Sequence, residues 1–113
     1  MIKIEIEKEK ESKQIIYFKI SGHAESADYG EDIICASVSA VGQMTLNGLI
    51  EILELDKLKY REAEGIIDCD LKTSGLTEEE YEKACILTKS MYSYLKEVAK
   101  EYKKFVKLII REV

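Results

Sequence analysis

Ile2, Ile4 and Ile6 alternate with Lys3, Glu5 and Glu7, the period-two pattern of a strand with one buried face. A charged turn over residues 9–13 follows, and Ile16, Phe18 and Ile20 then alternate in the same way, which predicts a hairpin partner for the first strand. From residue 33 the period changes. Val38, Val41, Thr45, Leu49 and Ile52 fall three and four residues apart, and Leu46 and Leu53 widen the apolar stripe, which predicts one long helix over residues 33–55. Charge is absent from Ile33 until Glu51, so the first half of this helix is expected to be largely buried, against the sheet and a second subunit. Leu58 and Tyr60, then Ile67, Cys69 and Leu71, alternate with charged neighbours on either side of a turn at residues 63–65, a second hairpin. Thr77 and Glu80 make a capping box that starts a second helix. Its stripe is Ala84, Leu87, Met91, Leu95, Val98 and Tyr102. Val106, Leu108 and Ile110 alternate with Lys107 and Arg111 in a last strand.

The element order is therefore ββαββαβ. Two amphipathic helices and a sheet with one polar face predict an α+β fold, a two-layer sandwich with both helices packed on one sheet. Residues 1–113 form a single domain, since the length supports one modest core and no linker, repeat or low-complexity segment interrupts it. The first and last strands are short and are expected as sheet edges, and dimerisation is one way to cover an edge or the apolar first helix.

Composition narrows the setting. A charged fraction of 35% beside a hydrophobic fraction of 46% describes a well-solvated globular chain. No apolar run of about 18 residues is evident, so no membrane span is expected, and the strand pattern at the N-terminus is unlike a signal peptide. Three cysteines, an odd number, in a chain without a secretion signal point to free thiols in a reducing cytoplasm. A net charge of −5 argues against nonspecific nucleic-acid binding and suits a basic partner.

The chemistry concentrates in residues 22–40. This stretch holds the sole histidine, His23, at the end of the second strand, and Cys35 near the predicted start of the first helix. A polar loop over residues 24–31, with Gly22 before it and Gly30 within its end, joins them; it is expected to be poorly ordered until a substrate orders it. With Asp32 as N-cap, Cys35 would fall in the first helical turn, where free amides and the helix dipole favour a thiolate and can donate to an oxyanion. His23 is then the candidate base and proton donor for a Cys-His pair. Asp32 has two competing uses, as that cap or as a carboxylate that orients His23. Ser39, one turn after Cys35, shares its helical face; a bond from its hydroxyl to a carbonyl one turn back is the structural alternative. From spacing alone, a lone cysteine near a helix start is more often a small core residue and a lone histidine more often makes one structural hydrogen bond, and Cys69 and Cys85 read as structural.

The residues themselves say more than their spacing. Gly22-His23-Ala24, then Gly30, then Asp32-Ile33-Ile34-Cys35-Ala36-Ser37-Val38-Ser39-Ala40 closely resembles the signature of the bacterial ribosomal-processing cysteine proteases, with Ile34 for a valine and Ser37 for an alanine. The resemblance extends over the chain in length and element order. It implies that Cys35 and His23 match the family's catalytic dyad, supported by Gly22, Asp32 and Ser39. It also implies a substrate: the N-terminal extension of a large-subunit ribosomal protein, removed by an endopeptidase that needs no cofactor or metal. Tyr29, Gly30 and Ala36 are the candidate contacts for that peptide.

Two other functions compete. One is a noncatalytic module that binds a ribosomal protein or an assembly intermediate, with His23 and Cys35 only structural. The other is a metal site built from His23, Cys35, Cys69 and Cys85, which lacks the close Cys-x2-4-Cys spacing of structural zinc.

Overall fold

The structure, a computed structural model, describes residues 1–22 and 29–113, with side chains described for 1–22 and 33–113. Along the chain run β1 (Ile2–Lys8), β2 (Ile15–Ser21), α1 (Tyr29–Asn47), a π-helical turn (Gly48–Ile52), β3 (Lys59–Ala63), β4 (Ile66–Asp70), α2 (Glu78–Glu101) and β5 (Val106–Glu112). The predicted α+β class and ββαββαβ order are found.

Among the described residues, five strands form one sheet in the order β3-β4-β2-β1-β5. β1 and β2 pair antiparallel, with Ile4 opposite Ile20 and Ile6 opposite Phe18, so their apolar positions share one face. β5 runs parallel to β1, Ile2 opposite Val106. The N-terminal strand is therefore an inner strand, not an edge as expected; the edges are β3 and β5. Alternation along a strand reports which face is buried, not where the strand sits in the sheet.

Ile4, Ile6, Phe18, Cys69, Leu49 and Leu95 are fully buried between the sheet and the helices. Fully burying one such aliphatic or aromatic side chain is worth about 1.5–3 kcal/mol, so this face dominates stability. α1 presses close: a Cβ at Gly42 would lie 2.7 Å from Ile20 Cδ1. α2 is tied to the start of β2 by Tyr81, whose hydroxyl donates to the Ile15 carbonyl at 3.1 Å. The predicted capping box is present, with Glu80 N–H donating to Thr77 Oγ1 at 3.1 Å and Thr77 N–H donating to Glu80 Oε1 at 2.9 Å. The other sheet face is polar and carries ion pairs, Arg61 with Asp68 at 2.7 Å and Arg111 with Glu5 at 3.0 Å. Such exposed pairs are worth at most about 1 kcal/mol each, so they keep this face wet rather than hold the fold.

The first helix departs from expectation in three ways. It begins at Tyr29, a turn earlier than predicted, and gives way after Asn47 to the π turn, where Leu53 N–H bonds the Gly48 carbonyl at 2.9 Å. The wider turn changes the phase of the stripe, and Ile52, expected inward, is 73% exposed. Only one side of its first half is buried: Ile34 and Val38 face the core, whereas Ile33, Ala36, Ala40 and Met44 are exposed. Absence of charge thus did not mean burial. By length and composition, residues 33–52 are also long and apolar enough to cross a membrane, contrary to the sequence reading; in the fold their buried side chains are core.

Candidate active site

The site is built where β2 ends. Gly22 follows the last residue of β2 and has φ +102°, a conformation that an L side chain rarely adopts. A Cβ there would lie 2.4 Å from the Met1 carbonyl oxygen. The close approach is fixed on both sides: Ile2 N–H donates to the Phe105 carbonyl at 2.8 Å, and Gly22 N–H donates to the Gly65 carbonyl at 3.0 Å, in the β3–β4 turn. Gly22 is thus a register pin joining three parts of the sheet, a more specific role than the loosened loop end expected from sequence.

The carbonyl of this pinned glycine faces the nucleophile candidate. Cys35 Sγ donates to Gly22 O at 4.0 Å, and the thiol is half-buried and not in a disulfide. Ile33 and Ala36 beside it are exposed. Ser39 is half-buried one turn further on, while Ser37 donates to the Ile33 carbonyl at 2.9 Å, the back-bond that sequence reasoning had considered for Ser39.

Starting α1 at Tyr29 changes the local chemistry. Asp32 is the fourth helical residue and is not the N-cap. Cys35 is the seventh, in the second turn, where the backbone amide already has a carbonyl partner four residues back. The free first-turn amides expected beneath the thiol belong a full turn earlier. Tyr29 and Gly30 are helical, so the predicted loop is shortened at its C-terminal end. Its remaining part and His23 lie outside the described residues, as do the side chains of Tyr29, Glu31 and Asp32.

The other two cysteines stand apart. Cys69 pairs with Phe18, four strand positions before Gly22, or about 13 Å along β2. Burial, with Asp70 and Asp68 adding repulsion, pushes its thiol pKa up to about 12. Burial also raises that of Cys85, partly offset by the neighbouring Tyr81 hydroxyl. The fully buried Cys69 is an inert thiol by environment. Among the described residues no group of three His, Cys, Asp or Glu could hold a metal ion.

A free, half-buried thiol on a helix packed into the core, held against a strand end that leads into the sole histidine, fits the class of thiol-dependent hydrolases. Comparison with known proteins agrees. The model of the cysteine protease Prp family matches residues 1–107. The ribosomal processing cysteine protease Prp of Bacillus subtilis (strain 168) is 31% identical over 91 residues, 80% of this chain and 81% of that protein. The crystal structure of SMU.848 from Streptococcus mutans superposes with a TM-score of 0.78 at 28% identity, covering 100% of this chain and 96% of that one. The essential ribosomal processing protease Prp from S. aureus, in complex with a substrate peptide, superposes with a TM-score of 0.75 at 22% identity, covering 98% and 100%, and so attests the fold. The chain belongs to the cysteine protease Prp family and is a cysteine protease.

Proposed function

We propose that this protein is a ribosomal-processing endopeptidase that removes the N-terminal extension of a large-subunit ribosomal protein, with Cys35 as nucleophile and His23 as its base. One observation carries the dyad. Cys35 Sγ is 4.0 Å from the carbonyl of Gly22, and His23 is the next residue in the chain. The substrate class rests on the family and on the names of its relatives, a ribosomal processing protease in B. subtilis and in S. aureus.

In this mechanism His23 accepts the Cys35 proton and the sulfur attacks the scissile carbonyl carbon. The tetrahedral oxyanion collapses to a thioester, and the leaving amine departs with the proton from His23. Water activated by His23 then hydrolyses the thioester and frees Cys35. No metal or cofactor is needed for any step. Since the cap role is gone, Asp32 is assigned to orienting His23; it lies one helical turn before Cys35. Ala36, exposed beside Cys35, and Tyr29 and Gly30 in the first turn line the peptide's path. We further infer a cytoplasmic homodimer without direct nucleic-acid contact. The free cysteines suit a reducing compartment, and an apolar groove between α1 and α2, with Met44, Ile52, Leu87 and Tyr94, suits a second copy.

The test is cleavage of a peptide spanning the extension and the mature start. Cys35→Ala abolishes turnover and keeps the fold; His23→Ala lowers turnover by about 10²–10⁴-fold. Binding of the peptide by a Cys35→Ala protein whose parent never cleaves it would favour the binding-module alternative.

A further inference from the structure

β3 is an edge strand, exposed along its whole length, and among the described residues no strand pairs with its outer side. Its register fixes which backbone groups face outward. Ala63 and Ile66 flank a two-residue turn and pair directly, so residues 59, 61 and 63 bond toward β4. Lys59 N–H agrees, donating inward to Ser74 Oγ at 2.8 Å. The backbone groups of Tyr60 and Glu62 therefore point away from the sheet. Between this edge and the end of α1 with its π turn lies a groove of about 190 Å³, bounded by Gln43, Asn47, Ile50, Glu51, Tyr60 and Glu62. Two carboxylates line it and no lysine or arginine does. The edge leads to the nucleophile: β3 runs into the turn at Gly65, whose carbonyl accepts from Gly22 N–H, and the Gly22 carbonyl faces Cys35. Gln43 is eight residues beyond Cys35 on α1, about 12 Å of helix, which an extended chain crosses in about four residues.

We propose that the substrate binds as an added strand on the outer edge of β3, with its backbone bonded to Tyr60 and Glu62 and a cationic side chain set between Glu51 and Glu62. The strand registers the peptide so that a bond about four to six residues from this anchor reaches Cys35. A basic ribosomal protein supplies the charge that the carboxylates lack. This reading rests on the proposed function for the identity of the peptide, but it concerns recognition and not the chemical step.

The experiment measures binding, by fluorescence anisotropy, of a labelled peptide from the substrate's extension and mature start to the Cys35→Ala protein. Two peptide versions are N-methylated on alternate backbone amides, one on odd and one on even positions. Strand addition predicts that one set loses at least about tenfold in affinity while the other binds nearly as the parent, because only every second amide faces β3. Glu51→Lys combined with Glu62→Lys weakens the unmethylated peptide by at least about tenfold, and a peptide with its lysines replaced by glutamates recovers affinity for that variant. Amide resonances of Tyr60 and Glu62 shift on binding in the labelled protein. Equal binding of the two methylated sets, or unmoved Tyr60 and Glu62 resonances, overturns the proposal. The function can fail separately: a parent that binds the peptide in this pattern yet never cleaves it leaves the strand site standing and removes the protease assignment.

Discussion

Replacing Gly22 with alanine tests whether the pinned strand end holds the nucleophile's surroundings in place. The added methyl meets two penalties. At φ +102° an L residue is strained by about 1–3 kcal/mol. Its Cβ would also lie 2.4 Å from the Met1 carbonyl oxygen, so about 1 Å of backbone movement is needed to reach van der Waals distance, at a cost of about 1–3 kcal/mol. Met1 cannot simply swing away, because the adjoining Ile2 is buried and bonded to Phe105. Gly75 supplies the control: its φ is +71°, but a Cβ there meets only Lys57 Cδ, at 4.0 Å. Gly75→Ala bears the strain without the clash. Thermal unfolding should therefore place Gly22→Ala below Gly75→Ala by about 1–3 kcal/mol, or roughly 5–15 °C in Tm for a domain of this size. Peptide turnover, measured well below both transitions, should fall about 10²-fold in Gly22→Ala, since a 1 Å shift at a reacting centre costs that much, and should hold in Gly75→Ala. Equal Tm values, or parental turnover in Gly22→Ala, would refute the argument that this contact fixes the site.

Four further outcomes are expected. Iodoacetamide at pH 8 should label Cys35 in the folded protein and leave Cys69 unmodified until denaturation, as mass spectrometry of digests would show; labelling of Cys69 at the same rate contradicts its buried state. Because the Cys69 pKa is raised from its ordinary value near 9 to about 12, the unfolded chain loses that proton first as pH rises. Stability should then decline above pH 9 by at most about 1.4 kcal/mol per pH unit, and Cys69→Ala should flatten the decline in urea titrations. Thr77→Ala should cost about 1 kcal/mol by removing the α2 cap, with cleavage rates unchanged. Asp32→Asn should lower turnover with little change in stability if the carboxylate orients His23, whereas a stability loss of about 1 kcal/mol with full turnover would restore a helix-end role.

Most of the framework was legible because local physics decides it. Ile2, Ile4 and Ile6 can bury only one face, and Thr77 with Glu80 marks a helix start by mutual bonding. The start of α1 was not legible. Gly30 disfavours a helix by about 1 kcal/mol, and the acids at 31 and 32 suit a first turn as well as a cap, so tertiary packing chose between them. The end of α1 shifted for a similar reason: a Cβ at Gly48 would lie 2.8 Å from Leu87 Cδ1, a contact from α2 that the sequence of α1 does not contain. The Cys35 position at the site was readable from its motif. The clasp of Gly22 with Met1 and Gly65 was not, because it joins residues from three distant parts of the chain.

The parallel pairing of β1 with β5 has a consequence for how the protein comes into being. Ile2 finds its partner only at Val106, so the second edge of β1 stays open throughout synthesis until the β5 residues have been made. During that interval a strand of alternating isoleucines offers an unpaired ladder to any neighbouring chain. Closing it requires the most non-local contact in the molecule, a slow class of step in folding. The hairpin, β4 and both helices can assemble beforehand, which leaves β5 as the clasp that turns a nearly complete sandwich into a protected one.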